Sequence, residues 1–532
     1  MNELDLAVDV PAQAPAPDAE RGAAGEAAAP AAGSASGAGV RDAMLSGHFA
    51  GSRDLTLADT ISDFLNAAPG DAIDRWFGPQ RGARLRVDEQ ALRDALDRDI
   101  AAIDAMLSEQ VDAILHHDRM RKLEGSWRGV AWLVDGTELS SRLKVKVLNI
   151  AWPELCRDLE RAIEFDQSQL FRKVYEEEFG TPGGEPYGLL VVDHEVRHRP
   201  SPTARTDDVT ALASLAGIGA AAFSPLIIGA SPALLEVDSF ADLATSTELA
   251  APLRNAEHTR WRSLSSRPDM RFVAVALPRV LARPPWLDDG TRADGFRYEE
   301  YAPTGEHRVW MCAGYAFAAV VARAFAQFAW PADVRGVETD RVGGGLVTDL
   351  PLEPFRTDPD NVWVRCPVEI VLNDRQERSL LEAGLMPVSS VPYSEDLVFG
   401  SVRSLLAPQR HLGPTANAAD ANSRLSTQIN SILCASRFAH HLKMKGRRMV
   451  GSFKTASEIE QFLQAWLTQY CNGNLASGGD SRARYPLVAG RVSVNEMPGK
   501  PGSFGCIVHL QPHYQLDDIS AAFQLVTDLT GR

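Results

Sequence analysis

From Ala83 to Glu124 the chain contains neither glycine nor proline, and Leu92, Leu96, Ile100, Ile103, Leu107, Val111 and Ile114 recur every three or four residues between charged positions. This spacing gathers the apolar residues into one stripe and predicts a single long amphipathic helix. Such a helix draws most of its stability from whatever covers the stripe. That cover is either the rest of this chain or helices of a partner.

The segments on either side have a different character. Residues 1–40 are dominated by Ala, Pro, Gly and Ser with a few charges, a composition that buries too little apolar surface to offset the entropy of ordering, so a flexible tail is expected. In TLADTISDFLNAAPG, Thr56 is a helix cap, Leu57, Ile61, Phe64, Leu65 and Ala68 share one face, and Pro69-Gly70 ends the helix. Beyond Gly125 strands and helices alternate. LKVKVLN (143–149), GLLVVDHEV (188–196), RFVAVAL (271–277) and VEIVL (368–372) read as strands, while Trp152 to about Phe179 and Tyr315–Phe328 read as helices. The C-terminal part carries a helix with Ala435, Phe438, Ala439 and Leu442 on its apolar face, a second helix at Ser457–Tyr470, and strand patterns at 487–497, 504–511 and 523–529. The fold class is α/β with mixed α+β layers. It divides into the tail, a helical region 41–125, a large α/β unit 126–395 and a C-terminal unit 396–532.

Fifty-four Lys and Arg against 70 Asp and Glu give a net charge of −16, which argues against work on nucleic acid or anionic membranes. The six cysteines stand far apart with no C-x-x-C, as expected of buried thiols in a reducing compartment. The start, MNELDLAVDV, is acidic where a signal peptide is basic, and a cytoplasmic location is expected. Val209–Leu235 carries no charge, but Pro225 and Pro232 interrupt it, so a buried helix and loop are expected there and not a membrane span.

Several short motifs suggest chemistry. His194-Glu195-Val196-Arg197-His198 spells H-E-x-x-H, and a zinc-dependent hydrolase built on it is the alternative reading of the chain. Zinc binding by this motif requires a helix that sets both histidines on one face, with Glu beside the metal-bound water. Here the segment continues a strand and runs into Pro200 and Pro202, and neither the G-x-x-H extension nor a Glu between 196 and 235 follows to supply a third ligand. Gly217-Ile218-Gly219 lacks the preceding strand a dinucleotide fingerprint needs, and Gly343–Gly345 lacks the Lys-Ser or Lys-Thr of a phosphate loop. No catalytic group, metal or cofactor is expected. Arg437, His441, Lys445 and Arg448 form a basic stripe opposite the apolar face of their helix, either a solvated face or a contact for an acidic patch.

ILHHDRMRKLEGSWRGVAWLV, EFDQSQLFRKVYEEEFGTPGGEPYGLLVVDHE, LPRVLARPPW, RFAHHLKMKGRRMVGSF and LQPHYQLD, in this order, resemble the large sheath subunit of bacterial type VI secretion systems. The Ala/Pro-rich opening and DHEVRHRP depart from the usual pattern. The resemblance implies a contractile tail-sheath-like fold in a Gram-negative bacterium and a heterodimer with a small sheath subunit. It further implies a helical polymer of copies around an inner tube, anchored on a baseplate and dismantled by an AAA+ ATPase. It makes Arg491, Val492, Ser493, Val494, Phe504, Cys506 and Val508 a receiving hairpin and Phe523, Leu525 and Thr527 a donated strand of a sheet shared between subunits. An ordinary intramolecular sheet is the alternative. Leu57, Ile61, Phe64 and Leu65 become candidates for the ATPase-recognition helix, or else dock that helix on its own domain. The basic stripe becomes a candidate contact for the inner tube or a neighbouring subunit.

Overall fold

A computed structural model describes residues 40–46, 55–138 and, with gaps at 139, 141, 292, 294, 339–340, 410–419, 421–422, 425, 450–454, 475–477, 497–503 and 514–522, the chain from 140 to 529. The expected tail, apart from Val40, and the turn PGKPGS between the last two long strands lie outside the described residues.

The chain divides into two compact units, residues 1–107 and 108–532. In the first, helices α1 (Val40–Leu45), α2 (Leu55–Leu65), α3 (Pro69–Phe77), α4 (Pro79–Leu85) and the start of α5 (Glu89–Leu115) enclose a small core of Val40, Trp76, Phe77 and Ala95. Asp99 is buried at its centre, held by Arg41 at 2.6 and 2.7 Å and by the Trp76 indole at 2.9 Å.

The single helix expected over 83–124 is not formed. The stretch is divided among α4, α5 and α6 (Asp118–Asp135), with a break at His116-His117. No glycine or proline causes it. The His117 side chain accepts from the Arg119 N–H and caps α6, while His116 Nε2 lies 3.2 Å from Glu300. These interactions outweigh helix propensity, as tertiary contacts commonly do. Much of the stripe stays open: Ile100 and Ile114 are each 54% exposed and Leu107 45%.

In the second unit, β1 (Leu190–Val196), β2 (Leu226–Ala230), β3 (Val273–Leu277) and β9 (Met386–Pro387) form a parallel sheet in that order. β2 and β3, at its centre, are buried on both faces and are accordingly continuous apolar runs. Leu226, Ile228, Val273 and Val275 point to one core with α9 (Asp208–Ala222), and Ile227, Ala274 and Ala276 to another with α11 (Ala313–Phe328). Helix α6 lies against the hairpin of β4 (Val280–Arg283) and β5 (Val309–Met311) so closely that a Cβ at Gly125 would meet the Trp310 carbonyl oxygen at 2.2 Å.

Smaller elements complete the unit: α7 (Trp152–Arg161), α8 (Gln169–Phe171), a π-type stretch Arg172–Gly180, α10 (Thr259–Ser265), α12 (Asp374–Glu382), and the short strands β6 (Leu346–Val347), β7 (Glu353–Phe355), β8 (Trp363–Arg365), β10 (Ser389–Ser390) and β11 (Leu397–Val398). Four expectations change. LKVKVLN (143–149) forms no strand, and the stretch expected as a buried helix and loop holds β2 after α9. The helix expected over 152–179 is interrupted after Arg161, and Ser168 caps the second piece. VEIVL makes one isolated bridge, Val368 to Val280, and no strand. Pro367 brings no N–H to a ladder, and Glu369 is drawn towards Arg279 at 3.4 Å. Among the described residues no helix is long and apolar enough to cross a membrane.

Candidate assembly interface

The C-terminal sheet is built on two helices, α13 (Ile429–Met449) and α14 (Ala456–Thr468). Strands β12 (Leu487–Glu496), β13 (Phe504–Pro512) and β14 (Phe523–Leu529) run as an antiparallel meander in the order β12-β13-β14. Alternation sends Val492, Val494, Cys506, Val508 and Leu510 inward against Phe438, Leu442, Leu463, Trp466 and Leu467. Arg491 and His509, opposite one another, point out. Ser493 pairs with Ile507 and Phe504 with Glu496.

The two edges of this sheet differ. Along β12, the N–H groups of Val492 and Val494 donate to Gln464 Oε1 (2.8 Å) and Glu460 Oε2 (2.9 Å), and the Gln464 amide donates to the Gly490 carbonyl at 2.9 Å. Side chains of α14 thus occupy the positions a further strand would take, a common way of closing a sheet edge. No such clasp lies along β14 among the described residues. In this chain β14 pairs with its own β13, in the register Leu510↔Phe523, Val508↔Leu525, Cys506↔Thr527 and Phe504↔Leu529. The side chains of Phe523, Leu525 and Thr527 lie outside what the structure describes. The sequence brought the strands to notice but not the α14 clasp, which rests on two polar residues of an otherwise ordinary helix.

The basic stripe on α13 is not a solvated face. The Arg437 guanidinium lies 5.2 Å from the Phe325 ring, its Nε is buried without a hydrogen-bond partner, and burial pulls its pKa down. His441 sits between Trp330 and Trp466, and Lys445 lies over Phe462 and Trp466 at 5.6 and 5.1 Å. Only Arg448 of the four is exposed. Packing a charge over aromatic rings desolvates it, and the ring quadrupole partly compensates. The sequence missed the cations between them. Arg447 donates to the carbonyls of Phe179 and Gly180, and Lys443 lies 3.7 Å from the Phe179 ring.

His440, on the same helix, is buried, and its Nε2 lies 2.9 Å from the Ala222 carbonyl. Burial pushes its pKa down to about 4, against the opposing pull of that carbonyl. Between pH 6.5 and 4 the unfolded chain therefore takes up a proton that the folded chain refuses, so acidification favours unfolding. Wild type is expected to lose about 2 kcal/mol more than His440→Gln between pH 7 and pH 5. Urea titrations of both proteins at the two pH values measure the difference, and parallel losses would refute the assignment.

The HEVRH segment lies on β1 and its next residues, where its side chains diverge. His194 stacks on Trp152 at 3.9 Å with Nε2 3.2 Å from Asp208. Glu195 pairs with Arg279 at 2.5 and 2.7 Å. His198 stacks on the buried His258 at 3.9 Å. Among the described residues no group of three or more His, Cys, Asp or Glu is arranged to hold a metal ion. In the first unit, Ile61 and Phe64 turn into the core, with Phe64 5.3 Å from Trp76, while Leu65 is 73% exposed. The Leu57 side chain lies outside the described residues.

A body of α/β layers carrying a meander with one edge clasped by a helix has the features of a protein that assembles through its strands. The tail sheath N-terminal domain of the VipB/EvpB family matches residues 97–406, and that family's tail sheath gpW/gp25-like domain matches 418–529. The type VI secretion system sheath protein TssC1 of Pseudomonas aeruginosa is 36% identical over 435 residues, 81% of this chain and 85% of that protein. The crystal structure of a sheath tail protein from Desulfitobacterium hafniense overlaps 59% of each chain at 10% identity with a TM-score of 0.27, too distant to add to the argument. The chain belongs to the VipB/EvpB family of contractile tail-sheath proteins, the large sheath subunits of type VI secretion systems.

Proposed function

We propose that this chain pairs with a small sheath subunit and polymerises into a contractile sheath around an inner tube, so that contraction drives the tube outward. The observation that carries this is the C-terminal sheet, in which one edge is clasped by α14 and the strand at the other, β14, is held by main-chain pairing to β13. If β14 pairs with β13 of a neighbour, every subunit both gives and receives a strand. Such a head-to-tail contact does not close on itself and therefore builds a filament. Main-chain pairing of this kind holds neighbours together while the subunit bodies rotate.

The baseplate, the inner tube and a disassembling AAA+ ATPase complete the proposed set of partners, in the cytoplasm of a Gram-negative cell. On α2, recognition by the ATPase would fall on the side bearing Leu65, because Ile61 and Phe64 are already packed. For an inner-tube contact, Arg448 is the freest of the four stripe residues. Co-expression with the small subunit, followed by negative-stain microscopy, is expected to show hollow tubes. Discrete particles would instead indicate a non-polymerising adaptor.

A further inference from the structure

Lys144–Ile150 is a strand pattern without a sheet. The sequence LKVKVLNI favours a strand through its β-branched residues and its alternation, and the segment runs without helix or turn from Leu143 to the start of α7. Yet it is absent from every sheet of the fold. Leu143 exchanges main-chain hydrogen bonds with Ser140, and from Ala151 the carbonyls serve α7. Among the described residues no main-chain hydrogen bond involves residues 144–150. Each of these seven residues carries one donor and one acceptor, and strands left open on both sides are rare in folded proteins. The side chains are equally uncovered: Val147 is 59% exposed, Leu148 52%, and Val145 and Ile150 each 37%.

The segment is nonetheless held in place. Lys144 reaches Glu185 at 2.5 Å, Lys146 reaches Glu178 at 2.6 Å, and Lys146 also lies over the Tyr187 ring at 5.4 Å. Two residues apart, both lysines point to one side, which faces this chain. Val145 and Val147 therefore point to the other. Ion pairs this exposed contribute little stability, but they fix the strand in an extended form and lower the entropy a binding partner must overcome. Both lysines already have acidic partners, so the side left open is apolar. Arg142, just upstream and exposed, has no ion-pair partner among the described residues.

We infer that Lys144–Ile150 is completed by a β-strand of the partner sheath subunit, with apolar side chains at alternate positions over Val145 and Val147 and an acidic residue within reach of Arg142. This rests on the sheath reading. A second copy of this chain fits less well. In the proposed polymer β14 is committed to β13 of a neighbour, and pairing of 144–150 with itself is a twofold contact that closes at a dimer.

Hydrogen exchange followed by mass spectrometry, on the full chain alone and co-purified with the small subunit, tests this. Amides 144–150 are expected to exchange at the unprotected rate in the chain alone and at least about 100-fold more slowly in the complex. Val147→Pro removes one donor at a surface position where no described hydrogen bond is lost, and Val145→Asp places a charge on the apolar side. Each is expected to weaken co-purification by about tenfold or more while leaving the melting temperature of the chain alone unchanged. A wild-type complex in which 144–150 stays unprotected overturns this inference and leaves the sheath reading intact. Protection that appears on concentrating the chain alone identifies a second copy as the occupant and overturns it as well. A wild-type chain that forms neither complex nor tubes with the small subunit overturns both.

Discussion

Deleting Phe523–Leu529 is expected to abolish tube formation while leaving the body of the chain folded. Among the described side chains, Val492, Val494, Cys506, Val508 and Leu510 of β12 and β13 anchor the sheet on α13 and α14, and this packing is expected to hold the core in place when β14 is lost. No substitute edge exists on the other side, because Gln464 and Glu460 already hold the outward N–H groups of β12. Without β14 every subunit can receive a strand but none can give one, so the chain of contacts does not start. The register allows a sharper measurement, since Cys506 faces Thr527 across the β13–β14 pair. Directly opposed residues on antiparallel strands have Cβ atoms about 4.5–5.5 Å apart, close enough for mild oxidation to link Cys506 to a Thr527→Cys side chain. In the isolated chain the link forms within one polypeptide. In purified tubes it is expected to run from chain to chain and give a ladder of covalent multimers on a non-reducing gel. Tubes from the deletion variant, or links that stay within one chain in tubes, would show that β14 is an ordinary intramolecular strand.

How much of this was legible in the sequence depends on whether the determinant was local. Asp208–Ala222 and Ala313–Phe328 were readable because apolar and small residues fill a helical period without interruption, and β3 because a buried parallel strand forms a continuous apolar run, whereas β2 lay hidden in the uncharged stretch expected as a helix and loop. The C-terminal meander was readable from its alternation. The break at His116-His117 was not, because its causes are the cap on Arg119 and the approach of Glu300, 184 residues away. VEIVL has the composition of a strand but is placed by Arg279, which draws in Glu369. The basic stripe looked solvated because the sequence does not reveal that Phe325, Trp330, Phe462 and Trp466 come together over it. LKVKVLN has the pattern of a strand, yet no strand is formed there. Its lack of a sheet is a property of the fold and appears only there.

The most destabilising single substitution expected in the second unit is Arg283→Met. Arg283 lies at the end of β4 with its side chain 5% exposed. Its Nε donates to Glu124 on α6 at 2.6 Å and its Nη1 to Glu300, whose side chain is 1% exposed. Arg128 adds a bond to Glu124 at 2.7 Å, and the Trp286 N–H donates to Glu300 at 2.9 Å. Residues 124 and 283 are 159 apart in sequence, so no pattern in the chain announced this hub. Burial alone would raise the Glu124 carboxyl, but hydrogen bonds from Arg283 and Arg128 outweigh it and hold the group below the usual carboxylate range. In wild type Glu124 therefore contributes stability that is present above its unfolded pKa and lost as pH falls through its folded one. Removing the cation strands two buried carboxylates, at a cost of about 3–5 kcal/mol near neutral pH. Burial then acts on Glu124 with only Arg128 against it, so its carboxyl moves up from its wild-type position. Between pH 7 and pH 5 Arg283→Met is therefore expected to lose less stability than wild type, because His440 acts alike in both proteins while the Glu124 contribution is no longer lost on acidification. Arg283→Met with Glu124→Gln and Glu300→Gln, which removes the charges together, is expected to recover a large part of the loss. Urea titrations at pH 7 and pH 5 distinguish the outcomes. An Arg283→Met protein with wild-type stability and a wild-type pH slope would mean that α6 is held to the β4–β5 hairpin by packing at Gly125 and Gly129 alone.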